Sequence, residues 1–218
     1  MHTQLSKYLE SNDLLSSCQF GYRERRSTDI ATTLFVDEIR DNGDKGKLTG
    51  ALFLDLSKAF DTINHALVLR KLETYGIATA ELDWFTDYLF CRTQSVVFGG
   101  QKSSLFDLTC GVPQGSILGP LIFLIVFNDF PEHLNRSKCI QYADDTVIYF
   151  SHADANEIED VLNSELERLR TYFDENELVL NLKRGKTESM LFGTAKRLAK
   201  KKTIQLKINE QPINHTES

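Results

Sequence analysis

The sequence predicts an α+β fold, an antiparallel sheet backed by helices, and three stretches carry that expectation. The first is Gln141-Tyr142-Ala143-Asp144-Asp145-Thr146, where two adjacent carboxylates separate Cys139-Ile140 from Val147-Ile148-Tyr149-Phe150. The flanking β-branched and aromatic residues favour strands, and Asp-Asp favours a tight turn, so the stretch reads as a hairpin with acid at its tip. The second is Ala51-Leu52-Phe53-Leu54-Asp55-Leu56, an apolar run ending in one acid, which reads as a strand buried on both faces. The third is the capping box Asp154-Ala155-Asn156-Glu157, followed by Ile158, Leu162, Leu166, Leu169 and Phe173 at helical spacing. That helix covers one side of the sheet.

The remaining elements follow in chain order. Leu5, Tyr8 or Leu9, and Leu14-Leu15 suit a short amphipathic helix broken near Ser11-Asn12-Asp13. Gln19 to Thr28 is a loop with a glycine and three arginines, among them Arg23 and Arg26, and Ser27 or Thr28 is placed to cap the next helix. An arginine-rich loop beside a helix start suits phosphate, and a charged surface loop is the competing reading. The helix Asp29–Arg40 should turn Ile30, Leu34 and Ile39 inward, and Asp41 to Gly46 is a turn cluster. Helices are expected over Ala66–Tyr75, stopped by Gly76, and over Thr79–Phe90, burying Leu82, Phe85 and Leu89.

Ser95 to Phe98, Gly99-Gly100 and Ser104 to Leu108 form a hairpin pattern. Cys110 to Pro120 is a glycine- and proline-rich turn around Gln114-Gly115, with an apolar helix after it from Leu121 to Asp129. Gly115 permits close backbone approach to a ligand and Gln114 offers a donor and an acceptor, although a packed turn needs the same residues. Leu178, Leu180 and Leu182 alternate like a strand, and Ser189 to Phe192 is another strand candidate.

Composition narrows the class. A chain of 218 residues with 41% hydrophobic content suits one large domain or two small ones. Cys18, Cys91, Cys110 and Cys139 lie far apart with no CxxC spacing, which suggests neither a zinc site nor a disulfide framework and suits reduced thiols inside a cell. No basic-then-apolar leader opens the chain, and the most apolar run, Ile117 to Phe127, is too short to span a bilayer. The net charge of −6 argues against gripping nucleic acid over the whole surface. The stretch from Lys183 to Lys207 is nevertheless basic, with Glu188 its single acid, and it is either a phosphate-facing or a merely solvated face.

The chemistry concentrates on the acids. Two like charges held in a turn repel unless a cation compensates them, and a divalent metal with oxygen ligands is the usual compensation. A strand ending in Asp55 beside a hairpin bearing Asp144 and Asp145 can gather three carboxylates. Such a set suits two magnesium ions in phosphoryl transfer.

The stretches Phe53 to Asp61, Gly111-Val112-Pro113-Gln114-Gly115-Ser116 and Tyr142-Ala143-Asp144-Asp145 resemble, in order and spacing, the palm motifs of reverse transcriptases. With Asn64-His65 and Asp145-Thr146, the wording is similar to the non-LTR retrotransposon branch, of the LINE and jockey type. The resemblance spans about Leu5 to Phe192 and implies a right-hand polymerase of fingers and palm that copies RNA into DNA. It implies that Asp55, Asp144 and Asp145 bind two Mg²⁺ ions, for which Mn²⁺ can substitute. Phe60 matches the aromatic packed under the incoming sugar, and Gln114 and Gly115 match the nucleotide pocket and template strand. Tyr142 matches the primer-end residue, Arg23 and Arg26 the fingers loop near the triphosphate. Lys186 resembles a lysine that protonates the leaving pyrophosphate, although the long loop Leu182 to Thr187 lets Lys183 compete for that role.

The implied layout is partial fingers over 1–50, palm with inserted fingers helices and catalytic hairpin over 51–194, and a basic C-terminal segment over 195–218. The family's upstream fingers, thumb and endonuclease are not expected, which makes the polypeptide a piece truncated at both ends. Implied partners are an RNA template, a DNA primer and dNTPs, with no membrane, in the nucleus or cytoplasm. The competing class is a catalytically idle fragment that keeps the fold as a nucleic-acid-binding or interaction module.

Overall fold

The computed structural model describes residues 1–200 and 203–216. The chain divides into two compact units, Met1–Leu15 with Lys58–Phe127, and Ser16–Ser57 with Asn128–Ser218. The units interleave along the chain, since each is built from two separate segments.

The first unit is helical with a long hairpin. Helix α1 (His2–Ser11) buries Leu5 and Leu9, and Tyr8 donates its hydroxyl to the carbonyl of Tyr75. Helix α3 (His65–Thr74) starts at Asn64, whose side chain accepts from the Leu67 amide, and it stops before Gly76 at φ +81°. Helix α4 (Ala80–Leu89) buries Phe85 and Leu89 and leaves Leu82 only half-buried, because Phe85 and Leu89 already form its inward stripe. Helix α5 (Gly119–Phe127) is apolar all round and buried, as a short core helix rather than a membrane span should be. The Lys71 ammonium donates to the carbonyl of Val126 and ties α3 to it.

The hairpin reaches farther than expected, as two short two-stranded ladders. Strands β3 (Val97–Phe98) and β4 (Gln101–Lys102) pair directly across Gly99-Gly100, and β2 (Arg92–Gln94) pairs with β5 (Phe106–Leu108) farther out. Both glycines have positive φ, 58° and 78°, as a type I′ turn requires.

The second unit holds a five-stranded sheet in the order β11-β8-β1-β7-β6 among the described residues. Central β1 (Leu48–Leu54) runs antiparallel to β7 (Asp145–His152) and to β8 (Glu188–Phe192), and β6 (Lys138–Tyr142) pairs antiparallel with β7. Edge strand β11 (Asn214–Thr216) runs parallel to β8, an addition from the C-terminal segment that the charge pattern there did not suggest.

Helix α6 (Ala155–Glu175) covers one face of this sheet, capped by the Asp154 carboxylate, which accepts from the Asn156 amide. Glu157 does not close the capping box; its carboxylate pairs with Arg136 at 2.7 Å. A Cβ on Gly50 would meet Ile158 Cγ2 at 2.3 Å, so this glycine lets the helix lie close to β1.

Helix α2 (Thr28–Asp44) covers the other face, started by Ser27, and here three expectations change. Ile30 and Leu34 are exposed at 43% and 49%, and the inward stripe is Ala31, Phe35 and Asn42. Phe35 decides the rotation, since its ring contacts Phe53, Tyr149 and Phe192 at centroid distances of 5.2–6.0 Å. The helix also runs through Asp41 to Asp44, because buried Asn42 donates to the carbonyl of Glu38 and Lys45 pairs with Asp41, and the turn comes only at Gly46. The alternating leucines from Leu178 to Leu182 supply one isolated bridge, Leu56 to Leu180, rather than a strand.

Candidate active site

The acidic hairpin folds as the sequence implies. Tyr142 and Asp145 form the last rung of β6 and β7, leaving Ala143 and Asp144 as a two-residue turn. Ala143 has φ +58° and Asp144 does not, the pattern of a type II′ turn, where a glycine is usual at the first position. The last rung between β1 and β7 joins Leu54 to Thr146, so Asp55 and Asp145 follow it on the two strands. Asp55, Asp144 and Asp145 thus meet at one end of the sheet of the second unit.

Electrostatics show their proximity. Burial pushes the Asp144 carboxyl above its ordinary range, and the charges of Asp145 and Asp55 push it further in the same direction. The Lys186 ammonium lies 3.3 Å from Asp55 Oδ2. The loop places it there: the Lys186 amide donates to the Lys183 carbonyl, and the Thr187 hydroxyl accepts from the Asp55 amide. The Lys183 backbone amide donates to the side chain of Asn181.

Three carboxylates with one ammonium leave an excess of negative charge on hard oxygen donors, and that donor set fits a divalent cation. Among the described residues, however, no three His, Cys, Asp or Glu side chains are drawn together tightly enough to form a finished metal cage.

The loop before α2 packs on this turn. Arg23 donates to the carbonyls of Ser16 and Gln19, and Arg26 to those of Ser17 and Gln19, with its guanidinium 4.9 Å from the Phe20 ring centre. Tyr22 sits within the field of the acids: burial first, then Asp144 and Tyr142, pushes its phenol up. Gln19 hydrogen-bonds the turn itself. Neither Gln19 nor Tyr22 was assigned a role from sequence, although both stand in the glycine-containing stretch ahead of the arginines.

The other site residues lie in the first unit. The Phe60 ring stacks tilted on Phe123 at 5.0 Å, and the Val112 amide donates to its carbonyl. The Gln114 amide nitrogen donates to Asp61 Oδ1 at 3.0 Å. Gly115 has φ +78° with open space where a side chain would go, whereas a Cβ on Gly111 would strike the Asp61 carbonyl at 2.6 Å. A cavity of about 620 Å³ opens beside them, lined by Asp61, His65, Arg92, Asp107 and Gln114 among others. The three carboxylates therefore belong to one unit, and Phe60, Gln114 and Gly115 to the other.

Two thiols that look unrelated in sequence meet in the second unit. Cys18 and Cys139 share a hydrogen bond that holds the Cys18 thiol down, to about 6, and together with burial pushes Cys139 well up. All four cysteines are free. Of the basic run, Lys201 and Lys202 lie outside the described residues. Among the described residues no helix is long and apolar enough to cross a membrane.

Comparison with known proteins bears on this arrangement. The family described as reverse transcriptase (RNA-dependent DNA polymerase) matches residues 1–210. A Pol polyprotein from the type-1 retrotransposable element R2 of Popillia japonica is 33% identical over 94 residues, covering 43% of this chain and 16% of the relative. The RNA-directed DNA polymerase of the mobile element jockey of Drosophila melanogaster is 30% identical over 137 residues, covering 60% and 15%. Among solved structures, the telomerase of Candida albicans with the TWJ fragment of telomeric RNA superposes with a TM-score of 0.59. It is 15% identical and covers 89% of this chain and 34% of that one, a likeness of fold. The chain therefore spans a small part of these relatives, about a sixth of the curated ones. The mobile elements it matches agree with the non-LTR resemblance of its motifs.

Proposed function

The chain belongs to the reverse transcriptase family, and from that premise we propose that it forms the fingers–palm part of an RNA-directed DNA polymerase that extends a DNA primer along an RNA template. The observation that carries this reading is the convergence of Asp55, Asp144 and Asp145 at the end of the sheet, beside the rungs pairing Leu54 with Thr146 and Tyr142 with Asp145, where burial and then the two neighbouring charges raise the Asp144 carboxyl. Asp55, Asp144 and Asp145 would hold two Mg²⁺ ions, which when bound activate the primer hydroxyl and stabilise the leaving oxygen.

Each residue has a physical part in this reading. Lys186, beside Asp55, supplies a proton or a positive charge to the departing pyrophosphate. Phe60, backed by Phe123, presents an apolar wall to the sugar and penalises a 2′-hydroxyl left without a partner. Gln114, held by Asp61, and Gly115, with open space above it, suit the nucleotide and template strand. Tyr142 would meet the primer end. Arg23 and Arg26 brace their own loop, beside which the triphosphate of an incoming nucleotide would lie. The unit carrying the sheet corresponds to the palm, and the protein acts inside the cell, in the nucleus or cytoplasm.

The metal assignment is testable without catalysis. Fe²⁺ substituted for Mg²⁺, with ascorbate and peroxide, should cut the backbone near residues 55 and 144, and excess Mg²⁺ should suppress the cuts. Cleavage confined to other acidic surfaces would refute the placement.

A further inference from the structure

A two-residue turn leaves polar groups that the hairpin cannot use. In a type II′ turn the flanking residues make the ladder bonds, and the N–H and C=O of the first central residue point away from it. Here that residue is Ala143, which is 4% exposed, so water does not serve its amide and carbonyl. Its positive φ is a conformation that a residue with a Cβ holds only when its surroundings enforce it.

Gln19 supplies the enforcement. Its side chain, 2% exposed, accepts from the Ala143 amide at 2.9 Å through Oε1 and donates to the Ala143 carbonyl at 3.3 Å through Nε2. The same Oε1 accepts from the Gly21 amide at 2.8 Å, which fixes the side chain from its own loop. One carboxamide thus satisfies both backbone groups of the turn residue, a match that needs a donor and an acceptor on one planar group.

The backbone around Gln19 is equally committed. Residues Cys18 to Phe20 run alongside β6: the Gln141 amide donates to the Cys18 carbonyl at 2.9 Å, and the Phe20 amide donates to the Gln141 carbonyl at 2.7 Å. A Cβ on Gly21 would lie 2.2 Å from the Ala143 nitrogen, so only glycine allows this approach. Arg23 and Arg26 both donate to the Gln19 carbonyl and hold the loop from behind.

We infer that Gln19 is a positioning residue for the acidic turn: by clamping Ala143 it fixes the backbone from which Asp144 projects toward the metal ions. This rests on the polymerase reading, because it is Asp144 as a metal ligand that gives the clamp its consequence. Groups that orient a metal ligand without touching the metal typically carry about 10–100-fold in metal affinity.

The test is Mn²⁺ binding to the full chain, read as free Mn²⁺ by electron paramagnetic resonance, which does not depend on catalysis. Gln19→Met keeps the length and removes all three side-chain hydrogen bonds, the two to Ala143 and the one from Gly21; it should weaken Mn²⁺ binding about 10-fold or more. Leu166→Ala, a core change in α6, serves as the stability control and should lower the melting temperature without changing Mn²⁺ affinity. If Gln19→Met does not fold, Gln19→Asn, which keeps the amide but falls short of Ala143, should give the same weakening. Wild-type Mn²⁺ affinity in a folded Gln19 variant overturns the inference. So does an equal loss in Leu166→Ala, which would make the effect one of stability. Asp144→Asn is measured beside them: undiminished binding there means that the metal reading itself has failed, and the inference fails with it.

Discussion

Replacing Asp144 by Asn should stabilise the metal-free protein at neutral pH while abolishing its metal response. Burial of the half-buried Asp144 is the largest cause of its raised carboxyl, and the charges of Asp145 and Asp55 add to it. Two unit charges 4 Å apart interact by about 1 kcal/mol in water and about 4 kcal/mol near a protein surface. Partial exposure, salt and the neutralising Lys186 on Asp55 bring the net penalty to roughly 1 kcal/mol. For a chain of this size that corresponds to a rise of about 2–4 °C in melting temperature.

The sign follows from linkage. The carboxyl is raised in the folded state, so its ionised form costs stability at neutral pH and its protonated form does not. The advantage of Asn is therefore full at neutral pH. It shrinks as pH falls through the raised value and vanishes below the ordinary carboxylate range, about 3.9, where Asp144 is neutral in both states. Thermal melts of both proteins between pH 3.5 and 7.5, in EDTA, measure it. Mg²⁺ should then raise the wild-type melting temperature and leave the variant nearly unmoved. A variant less stable than wild type in EDTA at pH 7 would refute the claim that burial and the neighbouring charges penalise the ionised Asp144.

Further outcomes follow from the same geometry. Phe60→Val should raise ribonucleotide use relative to deoxyribonucleotide by on the order of 10–100-fold in competitive incorporation, and unchanged sugar discrimination would remove Phe60 from the sugar pocket. Lys186→Met should lower the rate of nucleotide addition about 100-fold in a single-turnover assay. Lys183→Met should leave that rate alone, since the ammonium beside Asp55 is that of Lys186; the reverse ranking would hand the role to Lys183. Cys18 should alkylate with a midpoint near 6, and Cys139→Ala should move that midpoint up toward the ordinary thiol value, about 8.5. A midpoint indifferent to Cys139 would deny the shared hydrogen bond.

Much of this was legible in the sequence because it is local. The β-branched runs around Asp144-Asp145, the apolar run before Asp55 and the spacing of α6 each announce their element within a few residues, and the structure forms all three. What failed was the choice between stripes on one helix. Ile30 and Leu34 are as good a helical pair as Ala31 and Phe35, and only the rings of Phe53, Tyr149 and Phe192, distant in sequence, select the second. The clamp was illegible for the same reason, since Gln19 and Ala143 are separated by 124 positions and meet only through the folded backbone. Spacing leaves Lys183 and Lys186 open; the turn from Lys183 to Lys186 and the Thr187 bond to Asp55 put the Lys186 ammonium beside Asp55.

The measurement that bears most directly on the whole account is primer extension on a poly(rA)/oligo(dT) duplex with dTTP and Mg²⁺, beside Asp144→Asn and a control in EDTA. The account predicts extension by the wild-type chain and none by the variant or without metal. Extension that survives Asp144→Asn, or a folded wild-type chain that binds the duplex and Mg²⁺ yet adds no nucleotide, would contradict it.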